Sequence, residues 1–215
     1  MNQRFTVRPS DLTARDLPQV DRQVLDELVG PARMATMAQA GMAMGNPDAM
    51  PIDALIGAVE AGICRSWIMY AQDPLAPGQD QAVAFIMYAP FSIPGVWAGE
   101  VIRTGAAPHL RGVGFAAMAY ALDLIFADPA ARRVIGFVSV RNEASVAMVD
   151  RLGYHREGLA RRLMSVPDPQ APGGVADEVD AWLYRMHRDD WAGAATLEAR
   201  DWPGAGLVAA SRGHG

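Results

Sequence analysis

The residues best suited to chemistry lie in one stretch, Pro108-His109-Leu110-Arg111-Gly112-Val113-Gly114-Phe115-Ala116, which runs into the apolar segment 117–126. It reads as a strand end, a glycine-bearing turn and then a buried helix. The first N–H groups of a helix lack intrahelical partners, and with the helix dipole behind them they attract anions. Gly112 and Gly114 let the backbone approach a phosphate where a Cβ would intervene. Arg111 adds a cation with a planar donor fork. The ligand this chemistry asks for is a di- or polyphosphate. No Gly-Lys-Ser/Thr ends the turn, which excludes a Walker loop, and the G-x-G-x-x-G spacing fails because residue 117 is Ala. Two glycines also fit an ordinary strand-to-helix turn, so the stretch takes its meaning from what accompanies it.

A second block follows: Asn142-Glu143-Ala144-Ser145, then Arg151-Leu152-Gly153-Tyr154 and Glu157-Gly158. Together the two blocks resemble the cofactor segments of the GNAT superfamily of N-acetyltransferases. Those segments read Arg/Gln-x-x-Gly-x-Gly/Ala, then Asn-x-x-Ser followed by Leu-Gly-Phe/Tyr and Glu-Gly. The resemblance is clearest over residues 98–191 and extends more weakly over 4–97. It implies an α/β (α+β) fold: a mixed central sheet of about six to seven strands, helices on both faces, and a splayed parallel pair forming an acetyl-CoA cleft. It also implies acetyl-CoA as the acyl donor, with no metal.

By matched position, Arg111, Gly112, Gly114 and Ala116 would bind the cofactor's pyrophosphate. The backbone of Thr104 and Ala106 would pair with the pantetheine arm as an extra strand does, and Asn142 would contact that arm. Asn142 is equally placed to cap the helix starting near Glu143, and the two roles are compatible. The implied reaction is direct acetyl transfer, in a ternary complex, from the thioester to a primary amine. An alkyl ammonium, with a pKa of roughly 8 to 10, is mostly protonated at pH 7. A base must therefore take a proton, and the oxyanion and departing thiolate need stabilising. Ser145 holds the Ser position of Asn-x-x-Ser and is the implied acid; its plain alternative is a small residue at a helix start. Glu100, on the strand before the turn, is the implied base; its alternative is a solvated strand position. Tyr88, Asp177 and Glu178 are further candidates for the base. Many GNAT enzymes place a tyrosine acid seven residues after the Asn, but that position here is Val149.

The elements that must position these groups read as follows. A short strand covers 5–8. A helix capped by Asp16 runs to about Leu28, with Pro18 in its first turn and Gln19 at the capping-box position. A second helix covers 53–62. Strands at 66–72 and 82–88 form a hairpin around a Pro/Gly loop. From residue 96 the order is strand, loop, helix, strand (133–140), helix (143–152), which predicts a parallel pairing. Strands at 154–165 and 179–187 follow. Met34, Met37, Met42, Met44 and Met50 suit either loose core packing or a soft wall of the acceptor site. Asp189-Asp190-Trp191 resembles the GNAT branch that acetylates ribosomal-protein N-termini, spermidine and amino sugars. Residues 1–191 then form the catalytic domain. Residues 192–215, rich in Ala, Gly and Arg, read as a flexible tail, with a helix covering a partner as the alternative.

Composition sets the outer limits. The 215 residues suit one domain with an adequate core. A net charge of −5 argues against a nucleic-acid partner. No apolar run suggests a membrane span, and no secretory signal opens the chain. The single cysteine, Cys64, fits a reducing cytoplasm, and the four His show no metal-ligand spacing. All basic residues are Arg, which rules out a Schiff-base lysine. The reading is a cytoplasmic N-acetyltransferase acting on a small-molecule amine or a protein N-terminus, with a longer acyl donor and a homodimer left open. Two rivals stand beside it. One is a catalytically silent GNAT-fold protein that binds acyl-CoA as a sensor or assembly subunit. The other is an α/β domain that binds a different nucleotide.

Overall fold

Two neighbouring strands are apolar on both sides: Ile68, Tyr70 and Phe85 are buried in one cluster, and Met69, Ala71, Ala84 and Ile86 in another. Such strands need cover on both faces of the sheet, and the fold supplies it. The computed structural model describes residues 5–29, 51–103, 109–167 and 176–201. Its strands are β1 (Phe5–Thr6), β2 (Leu12–Asp16), β3 (Arg65–Gln72), β4 (Asp80–Pro90), β5 (Val96–Arg103), β6 (Leu110–Arg111), β7 (Arg133–Ser139), β8 (His155–Pro167) and β9 (Ala176–His187). Its helices are α1 (Arg22–Val29), α2 (Ile52–Glu60), α3 (Val113–Phe126), α4 (Glu143–Arg151) and α5 (Ala194–Asp201).

Seven strands form one mixed sheet in the order β2-β3-β4-β5-β7-β9-β8, as the expected six to seven require. Within it only β5 and β7 run parallel. α1 and α2 cover β3 and β4 on one face, burying Leu17, Leu25, Leu28, Ile52 and Leu55. α3 and α4 cover the other face. α3 is apolar nearly all round, as a fully enclosed helix must be. Its buried Ala116, Ala117, Ala119 and Ala121 let its axis lie close to the sheet.

The start of the chain departs from the sequence reading. Residues 12–16 are an edge strand paired with β3, and the segment after Asp16 is a 3-10 turn, Leu17–Gln19. Asp16 makes no side-chain cap. Val20 is extended, and α1 begins only at Arg22. The cap is Asp21, whose carboxylate accepts the Gln23 N–H at 2.7 Å. Leu17, Val20 and Leu28 are nevertheless buried as expected.

The other end departs as well. The stretch from residue 192, expected to be a tail, carries α5 to Asp201, and residues 202–215 lie outside the described residues. Asp123 of α3 fixes this helix. Its carboxylate accepts the Trp191 indole N–H at 2.7 Å and the Ala194 N–H at 3.2 Å. Glu198 of α5 accepts from the Ser10 hydroxyl at 2.8 Å. Asp123→Ala removes a helix cap and an indole acceptor together. We expect it to cost about 1–2 kcal/mol and to lower the melting temperature by roughly 2 to 8 °C. A melting curve superposing on that of the parent would contradict this account of α5.

Candidate active site

The ladder between β5 and β7 spans three residue pairs, from Val96–Arg133 to Ala98–Ile135. Both strands then continue, β5 to Arg103 beside β4 and β7 to Ser139 beside β9, without pairing to each other. The parallel pair is therefore splayed. A cavity of about 330 Å³ lies at the gap, bordered by Gly99 of β5, residues 134–139 of β7, Met118 of α3 and the inner side of α4.

The glycine turn stands at the same end of the sheet. Gly112 occupies the N-cap position of α3 with φ 73° and ψ 4°, a left-handed conformation that glycine adopts without steric cost. No side chain caps the helix. A Cβ on Gly114 would meet only Met148 Sδ, at 3.7 Å, so packing within the chain does not demand a glycine there. Arg111 is exposed beside it. Ala116 plays a different part from the one its motif position suggests. Its N–H is bonded to the Gly112 carbonyl at 2.9 Å and its side chain is buried, so it packs the helix and offers no donor.

The turn is held from outside. β1 pairs in parallel with β6, the Phe5 N–H donates to the His109 carbonyl, and the Val7 N–H donates to the Arg111 carbonyl, both at 2.8 Å. The His109 ring bonds the Asp73 carboxylate at 2.8 Å. The Leu75 N–H and then His109 hold Asp73 below the ordinary aspartate range. With the folded value below the unfolded one, this tie contributes fully above the unfolded pKa of about 3.9 and is lost as pH falls through the folded value. Following the Asp73 carboxyl by NMR should give a midpoint below the ordinary one; a midpoint at or above it would contradict the assigned contacts.

Asn142 caps α4, its side-chain oxygen accepting the Ser145 N–H at 3.1 Å. Both residues also line the cavity, Ser145 about one turn and Asn142 about two turns before Val149. The structure thus brings together Ser145, Asn142 and the gap, with Gly114 one side chain away through Met148. Glu100 stands on β5 opposite Met87, and its side chain lies outside the described residues. Thr104, Ala106 and the methionines at 34–50 lie outside them as well, as does the Asp177 side chain. Glu178 is exposed near Arg162, at 4.0 Å, and is not part of the cavity wall.

Tyr88 and Tyr154 are the wall residues that sequence reasoning underrated. Both are buried, and the hydroxyl of each donates to Met118 Sδ at 3.9 Å. Burial pushes both phenols above their ordinary range. Tyr154 was visible in the Leu-Gly-Tyr motif, but no role followed from the motif alone. Gly99 sits directly opposite Tyr88, and the ring occupies the space where a Cβ would stand.

Among the described residues, no cluster of His, Cys, Asp and Glu is placed to hold a metal, and no helix is long and apolar enough to cross a membrane.

No family model and no curated protein matches the chain. Solved structures do. A spermidine N-acetyltransferase from Vibrio cholerae, in complex with CoA and spermine, superposes with a TM-score of 0.64 at 14% identity, covering 84% of this chain and 98% of that one. RimJ from Mycobacterium smegmatis, in complex with CoA-disulfide, gives 0.65 at 16%, covering 94% and 90%. A ribosomal-protein-S5-alanine acetyltransferase from Vibrio fischeri gives 0.59 at 13%, covering 84% and 95%. The fold is that of the GNAT acetyltransferases.

Proposed function

We propose that this chain is an acetyl-CoA-dependent N-acetyltransferase of the cytoplasm, acting on a primary amine of a small molecule or a protein N-terminus. The observation that carries the reading is the splayed β5–β7 pair, with a cavity at the gap and an uncapped, glycine-started helix at its open end. The neighbours of like fold that bind CoA and spermine, or act on a ribosomal protein, support the donor and the amine class.

On this reading the pyrophosphate sits at the N-terminus of α3, against the backbone around Gly112 and Gly114 and under Arg111. Thr104 and Ala106 pair with the pantetheine arm through their main chain, and Asn142 contacts it from the head of α4. Coenzyme A supplies an activated acyl thioester. The protein aligns the amine, Glu100 takes its proton, and Ser145 lies along the path of the arm as a hydroxyl donor. Proximity and the removal of one proton supply most of the acceleration such a site needs. The buried Val149, where the resemblance would place a phenol, favours the rival reading of a silent acyl-CoA-binding protein.

A thermal-shift titration with acetyl-CoA, ATP and NAD, followed by turnover with a panel of polyamines, amino sugars and peptides, separates these readings. At a hundred times its dissociation constant, acetyl-CoA should stabilise the fold by about 2.7 kcal/mol, or roughly 5 to 10 °C. Stabilisation with no turnover on any amine would favour the silent protein. Stabilisation by ATP or NAD alone would overturn both.

A further inference from the structure

Val149 leaves the cavity without the phenol that its place on α4 would otherwise present, yet phenols reach the same spot from two other elements. Tyr88 comes from β4, across from Gly99, where the β5–β7 ladder ends. Tyr154 comes from the turn after α4, and its N–H bonds the Val149 carbonyl at 3.1 Å. Both line the cavity with Val149 and Met118. Both hydroxyls donate to the same atom, Met118 Sδ, each at 3.9 Å. Here the acceptor offered is a thioether, among the weakest a protein has. A sulfur anion arriving in the cavity would be a far better partner for those protons.

We propose that the Tyr88–Tyr154 hydroxyl pair is the donor that holds the departing thiolate of coenzyme A. The proposal rests on the acetyltransferase reading above. In the step itself the amine nitrogen bonds to the thioester carbonyl carbon. The C–S bond breaks and its electron pair goes to sulfur. The nitrogen gives one proton to the base. The phenols donate hydrogen bonds to sulfur and lose no proton, and the thiolate takes its proton from solvent after release. Burial, which keeps both phenols protonated, suits a donor of this kind better than a proton-transferring acid. Ser145 sits one helical turn from Val149, about 6 Å along α4.

The test is the ionisation of the thiol of bound coenzyme A, followed by its ultraviolet thiolate absorbance against pH. It is made on the parent protein and on Tyr88→Phe, Tyr154→Phe and Ser145→Ala. Each phenylalanine keeps the ring and removes only a hydroxyl, so the variants should fold, and their melting curves check this. The parent should make the bound thiol at least roughly tenfold more acidic than free coenzyme A. Either phenylalanine variant should lose most of that gain and lower kcat roughly tenfold to a hundredfold, with coenzyme A affinity within about twofold. Parent-like thiol ionisation in both phenylalanine variants, or a loss confined to Ser145→Ala, would overturn the assignment. Failure of the parent to bind coenzyme A would overturn the acetyltransferase reading beneath it.

Discussion

Gly114→Trp should abolish stabilisation by acetyl-CoA in a protein that still folds. Residue 114 stands at the second position of α3, the end of a fourteen-residue helix with no side-chain cap. A Cβ there would make only ordinary contact with the flexible end of Met148. Replacing a helical glycine also recovers up to about 1 kcal/mol of helix propensity, which offsets modest crowding. The indole would nevertheless lie over the first N–H groups of the helix, where the pyrophosphate is proposed to sit. We expect affinity to fall at least about a hundredfold, close to 2.7 kcal/mol, read by calorimetric titration with acetyl-CoA. Gly112 is a poorer probe. Its left-handed backbone would charge any other residue about 1 kcal/mol or more for conformation alone, mixing binding with folding. Unchanged affinity in a folded Gly114→Trp would remove the phosphate site from this turn.

Gly99→Ala should be among the most destabilising single-methyl additions in the chain. The added Cβ would lie 2.1 Å from Cε1 and 2.6 Å from Cδ1 of Tyr88. That ring is buried, and its hydroxyl is engaged with Met118, so it has little room to move aside. Overpacking of this kind costs about 1–3 kcal/mol, or roughly 2 to 12 °C in melting temperature for a chain of this size. If the clash is the cause, Tyr88→Ala in the same chain should relieve part of the loss, giving a favourable coupling in a double-mutant cycle. Turnover should fall as well, because the displaced ring closes the deep end of the cavity. A Gly99→Ala protein with the parent's melting temperature would contradict the packing described for β4 and β5.

These two glycines show how much was legible in the sequence. Gly114 could be singled out because Arg111 and Gly112 stand beside it in one turn, and the task proposed for it needs nothing from outside that turn. The strands and helices from 96 to 152 were readable for the same reason, each bounded by a turn residue or cap such as Asn142. Gly99 was not readable, since its need for glycine comes from a ring on the adjacent strand. The role proposed for Tyr88 and Tyr154 likewise depends on the fold, which brings both hydroxyls to Met118. The helix start at Asp16 was misplaced because Asp21 offers an equally good cap, and Leu12 and Ala14 pair with β3 to extend the sheet instead. α5 looked like a tail because its composition is bland. What fixes it is Asp123, supplied by α3, and Ser10, near the chain start.

The most direct test of the account is a single incubation. The protein is mixed with acetyl-CoA and a panel of primary amines spanning polyamines, amino sugars and short peptides. The products are then read by mass spectrometry, alongside the release of free thiol. The account predicts that at least one amine gains one acetyl group in step with thiol release, and that Gly114→Trp abolishes both. Tight binding of acetyl-CoA with no acetylated amine and no thiol release would contradict it, and would identify the chain as a GNAT-fold protein that holds the cofactor without using it.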